Sequence, residues 1–269
     1  MTATLAAGAP TVRDEAVGAL LRTWRERRRL SQLELSDRTG VSTRHLSYVE
    51  NGRSRPTPEM ILRLAEQLDV PLAECNRMLL AAGFAPRYSA EPIDDASLEV
   101  VMSGLRHLLD AHLPYPALLL DECWDVVDAN AAVDVLLEGC APWLLEPPLN
   151  ALRLSLHPEG LAPRIRNLAS WSAQLIRQVE HRAERTSDVR LHALADELWT
   201  YVDAPPRASG LDASSGPVLA LELVACDAVL RFFSVAARLE TATDTTLAGL
   251  HLETFLPADD ATRAALSST

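Results

Sequence analysis

Residues 31–56, SQLELSDRTGVSTRHLSYVENGRSRP, set capping residues, small residues and apolar positions at offsets that fit two short helices joined by a tight turn. Ser31 opens the first helix with a hydroxyl that can accept from the free amides of its first turn. Leu33 and Leu35 follow, and Ser36 is small enough for another helix to lie close across it. Gly40 tolerates the positive φ at which helices end. Val41 plugs the turn and Ser42 caps the second helix. There Leu46 and Val49, three apart, share an inward face. Thr43, Arg44, Ser47 and Tyr48 are left as the polar set that could read base edges in a DNA groove, with Ser42 beside them as a further DNA contact. Gly52 stops the helix, and Arg53, Ser54 and Arg55 follow before Pro56.

The run S-Q-x-x-L-S-x-x-T-G-V-S-x-x-x-L-S-x-V-E-N-G-R resembles the Cro/repressor-type helix-turn-helix of the xenobiotic-response-element family of bacterial regulators, over roughly residues 12–83. The resemblance implies an all-α domain of five helices, and the sequence offers five. The first spans about 12–29, with Val17, Leu20, Leu21 and Trp24 on one face. The two above come next. A fourth follows Pro58, with Ile61, Leu62, Ala65 and Leu68 at helical spacing, and a fifth runs from Pro71 to near Gly83. The family uses the position of Gln32 on a DNA phosphate, although the same residue also suits a solvated helix end. Arg44 can bond both acceptors of a guanine, or clamp a phosphate without reading sequence. Arg53 and Arg55 are expected at the DNA backbone. Arg25, Arg27, Arg28 and Arg29 favour the C-terminal end of the first helix and read as a solvated face. Each such domain covers one half-site, so two copies on an inverted repeat of double-stranded DNA, a homodimer, are expected.

The whole chain is acidic, at −12, which alone argues against a nucleic-acid partner. Its halves differ. Residues 1–88 hold 13 Arg against 10 acids, a balance of +3, while residues 89–269 hold 12 Arg against 27 acids, a balance of −15. The negative charge therefore lies beyond the DNA-contacting half. Lysine is absent, so every fixed cation is Arg; this suits bidentate contacts to guanine and phosphate, and also follows from GC-rich coding.

At 269 residues the chain has room for two domains, each with its own core. No 18-residue apolar window and no signal-peptide pattern occurs, so a soluble cytoplasmic protein without membrane contact is expected. Cys75, Cys123, Cys140 and Cys226 form no CxxC pair, and read as small buried apolar residues or, alternatively, as a thiol sensor.

Residues 1–11 read as a flexible terminus and 84–96 as a linker, since FAPRYSAEPIDDAS has prolines, acids and no periodicity. Residues 97–112 then carry one apolar stripe, Leu98, Val101, Met102, Leu105, Leu108 and Leu109, and predict a helix. Next come a strand at Ala117–Leu120, a turn at Asp121–Glu122, a strand at Trp124–Val127, and a helix opened by Asp128-Ala-Asn130 that carries Val133, Leu136 and Leu137. Helices follow at 161–182 and 188–200, a loop at 205–217, strands at Val218–Cys226, Ala228–Ala237 and Leu250–Phe255, and a frayed ALSST end.

The stretches YPALLLDECWDVVDANAA, LHPEGLAPRIRNLASW and RFFSVAARLETATDTTLAGLHLETFLPAD resemble the ligand-binding domain of MmyB-like transcription regulators, over about 97–265. That resemblance implies an α+β PAS-like fold after the DNA-binding domain. It also implies a small apolar, fatty-acid-like ligand rather than a cofactor. Trp171, Leu175, Phe232 and Phe233 are the candidates for lining its pocket, or else plain core. His157, in the shared LHPEGLAP loop, can line the pocket or serve structure. No pair among His107, His112, His181 and His192 has a helix-face chelate spacing, and no P-loop, GxSxG or HExxH occurs, so neither a metal site nor an enzyme is expected. A cavity of a few hundred Å³ is expected of a sensor. A filled core with an exposed apolar patch would instead suit a protein-docking or dimerisation module.

Overall fold

The computed structural model describes residues 16–186, 188–202, 218–225 and 228–267. The expected flexible terminus, the 205–217 loop and Cys226 lie outside the described residues. The chain divides into two compact units, residues 1–91 with 242–245, and residues 92–241 with 246–269.

The first unit is five helices: α1 (Val17–Arg27), α2 (Gln32–Thr39), α3 (Thr43–Glu50), α4 (Pro58–Gln67) and α5 (Leu72–Ala81). Their ends follow the cap chemistry. Ser31 Oγ accepts from Glu34 N while the Glu34 carboxylate accepts from Ser31 N, a reciprocal box. Gly40 closes α2 at φ 69°. Ser42 caps α3 through His45 N, and Thr57 caps α4 with Pro58 in its first turn. Leu21, Trp24, Leu35, Leu46, Ile61, Leu64, Leu68, Met78 and Leu79 fill one core. Two of the four arginines read as a solvated face are instead held by partners, Arg25 buried and Arg28 half-buried. Arg25 is buried against Glu50, and Arg28 donates to the Leu68 and Asp69 carbonyls, because each finds acceptors at the ends of neighbouring helices.

The second unit is α+β. Its helices are α6 (Glu99–Ala111), α7 (Asp134–Leu137), α8 (Ala151–Leu156), α9 (Leu168–Thr186), α10 (Val189–Thr200) and α12 (Asp260–Ser267), with the short α11 (Thr245–Gly249) beginning at the division between units. The strands are β1 (Ala117–Leu120), β2 (Val126–Ala129), β3 (Leu221–Ala225), β4 (Ala228–Arg238) and β5 (His251–Pro257). They form one antiparallel sheet in the order β2-β1-β5-β4-β3. This meets the PAS-like expectation of a sheet covered by helices.

Four local expectations are corrected. The second strand starts at Val126, because Trp124 adopts φ 62° in a turn whose Asp121 carboxylate accepts from Cys123 N and Asp125 N. Asp128 and Ala129 belong to that strand, and Asn130 leads into a 3-10 turn instead of a helix. The chain end forms α12, where Leu266 is buried, rather than fraying at ALS. The helix expected at 161–182 begins only at Leu168, since Ile165 pairs with Leu223 as an isolated bridge. Helices α8, α9 and α10 pack together, and their Leu152, Trp171, Leu175 and Leu194 join Leu118, Phe232 and Phe255 of the sheet in one core. Among the described residues no helix is long and apolar enough to cross a membrane.

Candidate DNA-reading helix and ligand cavity

The inner face of α3 is fixed by packing and by one ion pair. Leu46 and Val49 are buried in the core. Glu50, at the end of α3, is buried and accepts both Arg25 Nε at 2.7 Å and Nη2 at 2.8 Å. The remaining terminal nitrogen of Arg25 donates to the Leu30 carbonyl. Gln32 joins this group, its Nε2 donating to Glu50 Oε2 at 2.8 Å. Its side chain therefore braces α2 against α3, a contact that the residue type did not announce. Fully paired, the buried charges tie the end of α3 to α1.

The outer face is the set expected from the pattern. Arg44 is exposed, and its Nε donates to Tyr48 Oη at 3.1 Å with the guanidinium over the ring. That single bond leaves both terminal amino groups for acceptors elsewhere. Thr43 and Ser47 are half-buried beside it, Ser42 is taken up partly by its capping role, and Arg53 and Arg55 are exposed after Gly52. Asn51 and His45 were not singled out from sequence. Asn51 Nδ2 donates to the Ser47 carbonyl and His45 approaches Ser54 Oγ, so both tie down the end of the reading helix.

In the second unit a cavity of about 120 Å³ lies between the sheet and α8–α9. It is smaller than a sensor pocket of the expected size and close to an engineered void that admits benzene. Trp171, Leu175, Leu118 and Phe255 are among its walls. Phe232 is buried against Phe255 but does not line it. Phe233, one residue on, points to the opposite face of β4 by strand alternation. The lining holds two polar residues, Ser155 and Glu253, and no cation. Ser155 Oγ accepts from the Trp171 indole at 3.1 Å. Phe255 and Glu253 were missed because a two-residue period does not say which face meets a void.

Two buried asparagines tie the loops of the second unit together; Asn130 was read from sequence as a helix opening, and Asn150 carried no sequence signal. Asn130 Nδ2 donates to the Leu109 and Tyr115 carbonyls while its Oδ1 accepts from Ala117 N. Asn150 caps α8 and donates to the Cys123 carbonyl and Asp125. His157 is structural: its Nδ1 accepts from Glu159 N and its ring sits edge-on between Trp143 and Tyr201. Burial pushes the Cys75 and Cys123 thiols up to about 12 and raises Cys140, so these three hold their protons and do not fit a thiol sensor. Among the described residues no cluster of His, Cys, Asp and Glu could hold a metal ion.

Comparison with known proteins agrees with this division. Residues 21–75 match the Helix-turn-helix family. The Uncharacterized HTH-type transcriptional regulator Rv0023 of Mycobacterium tuberculosis (strain ATCC 25618 / H37Rv) is 38% identical over 68 residues, 25% of this chain and 27% of that protein. The HTH-type transcriptional repressor RghR of Bacillus subtilis (strain 168) is 43% identical over 58 residues, 21% of this chain and 43% of that one. The chain thus spans about a quarter to under half the length of these relatives. The crystal structure of the clp gene regulator ClgR from Corynebacterium glutamicum is 26% identical, covering 39% of this chain and 97% of that one, at a TM-score of 0.23. Residues 101–268, more than half of the chain, match the family described as MmyB-like transcription regulator ligand binding domain. With that domain following a helix-turn-helix, the chain belongs to the family of MmyB-like transcription regulators.

Proposed function

We propose that the protein is a ligand-responsive regulator that binds operator DNA as a homodimer, acting in the cytoplasm, with α3 of each copy in the major groove of one half-site. The observation that carries this reading is the two-sided character of α3: Leu46, Val49 and Glu50 buried, and Arg44 exposed beside Thr43, Ser47 and Tyr48. Arg44 reads a guanine edge, Thr43, Ser47 and Tyr48 complete the base contacts, and Ser42, Gln32, Arg53 and Arg55 meet the backbone. The ligand is small and apolar, fatty-acid-like in having a chain and one polar end. The cavity as it stands takes a short chain, and a longer one requires its walls to move apart.

The test is binding-site selection on random duplex DNA by the wild type and by Arg44→Ala, followed by titration of the selected sites. Loss of about 1–3 kcal/mol, with preference relaxed at one base position, is expected. An equal loss on every sequence with a shallower salt dependence would make Arg44 a phosphate contact instead. Native mass spectrometry of the full chain tests the ligand, with a stoichiometric adduct of fatty-acid mass expected. A clean apo dimer would favour a protein-docking role for the second unit.

A further inference from the structure

The cavity is apolar on nearly every side, yet Glu253 of β5 stands in its wall. Across the strands it pairs with Leu118 of β1 and Ala236 of β4, on the face of β5 that also carries Phe255. The charged and titratable neighbours are few. Arg182 of α9 acts on the Glu253 carboxyl from a distance, Ser234 of β4 hydrogen-bonds it, and burial still raises its pKa above the ordinary glutamate range. His251, two residues along the same face, is held neutral by burial and by Arg182 and Arg238. Arg182 is engaged elsewhere, over the Trp124 ring at 3.8 Å and donating to the Glu122 carbonyl. None of these three basic residues lines the cavity.

A wall with one acid and no cation cannot repay the desolvation of an anion. A carboxylate brought to Glu253 would set two like charges in a low dielectric, where one proton must be shared between them. A hydroxyl has no such difficulty, since it donates to a carboxylate and both donates and accepts with a carboxylic acid.

We propose that Glu253 is the polar anchor of the cavity, and that the ligand is an apolar molecule whose polar end shares a proton with it. That end is a hydroxyl, or a carboxyl that forms a one-proton pair with Glu253. This inference rests on the cavity being the ligand site. A carboxyl ligand then binds as a carboxylic acid would, and fully ionised acids are excluded at alkaline pH.

The test is calorimetric titration of the full chain with 1-hexanol, hexanoic acid and methyl hexanoate at about pH 6 and about pH 9, in buffers of differing ionisation enthalpy. At about pH 9 hexanol, which brings a donor, should bind at least about tenfold more tightly than the ester, which brings only acceptors, and between the two pH values hexanol should change less than about threefold. Hexanoic acid should weaken at least about tenfold towards pH 9, with uptake approaching one proton per ligand at the alkaline end. Glu253→Gln supplies an amide donor, so it should flatten the pH dependence of hexanoate and leave hexanol within about threefold. If this variant does not fold, the proton count on the wild type decides. Hexanoate binding without pH dependence or proton uptake, or an ester that equals the alcohol, overturns the role of Glu253 while leaving the cavity as the ligand site. Failure of all three compounds to bind overturns the cavity reading and this inference with it.

Discussion

A methyl group at residue 18 would lie 2.2 Å from the Val49 carbonyl oxygen and 3.0 Å from that of Glu50. Helix α1 can approach the end of α3 this closely because Gly18 has no side chain there. Glycine inside a helix costs roughly 0.5–1 kcal/mol relative to alanine, so Gly18→Ala improves helix propensity and still should destabilise the protein, by about 1–3 kcal/mol of steric strain. Urea denaturation checks this, and a gain in stability would mean that α1 shifts freely. Glu50 sets a second limit. Its carboxylate is buried under a bidentate guanidinium whose own side chain is 10% exposed. Glu50→Gln should cost about 3–5 kcal/mol because it leaves the Arg25 charge buried without its partner. Operator binding should fall with it, since the same pair and Gln32 fix α3. Operator titration below the urea midpoint of the variant separates this loss from unfolding. Glu50 was visible in the sequence only as part of a motif, and Gly18 not at all. Both act through contacts between helices 18 or more positions apart, which local spacing does not encode.

Elements that depend on local chemistry were the legible ones. The ends of α2, α3 and α4 coincide with Ser31, Gly40, Ser42, Thr57 and Pro58, residues whose capping physics operates within one turn. Strand β1 kept its expected bounds because its four apolar residues are buried throughout. Strand β2 did not, since the residue type of Trp124 favours a strand while the Asp121 turn holds it at positive φ. Strand β5 shows a deeper difficulty, with His251 and Glu253 directed inward and Leu252 on the other face. His251 is buried, and its pKa is lowered to about 3 by burial, Arg182 and Arg238. It remains neutral in the folded state while the unfolded chain takes up a proton below about pH 6.5. The unfolded state therefore binds more protons between about pH 3 and 6.5, and this contribution to stability is lost as the pH falls. Glu253, with its raised pKa, acts in the opposite sense above the ordinary glutamate range, so the comparison must be between two proteins. His251→Leu should become more stable relative to the wild type as acidity increases, approaching about 1.4 kcal/mol per pH unit in that window. Thermal unfolding across the window measures it, and parallel curves would show that His251 is protonated in the fold.

At the scale of the whole molecule, charge and packing divide at similar places. Residues 1–88 carry +3 and residues 89–269 carry −15, and each unit has its own hydrophobic core. The basic half is thus equipped for phosphate contact, and the cavity lies wholly in the acidic half. A regulator built this way is ligand-responsive only if the ligand prefers the arrangement of the second unit that accompanies DNA binding or that opposes it. Thermodynamic linkage turns this into a measurement that needs no structure of either state. Whatever factor the ligand imposes on operator affinity, the operator must impose on ligand affinity. With 1-hexanol as the ligand, its dissociation constant should change in the presence of saturating selected operator by a factor typically of about 5–150. The operator's own constant should shift by the same factor when hexanol is saturating. Arg44→Ala, whose operator affinity is lower by about 1–3 kcal/mol, should need correspondingly more operator to give the first shift and should leave hexanol binding to the free protein as it was. Equal dissociation constants with and without DNA would leave a DNA-binding unit and a cavity on one chain with no energetic connection, and the sensor reading would fail while both sites stood.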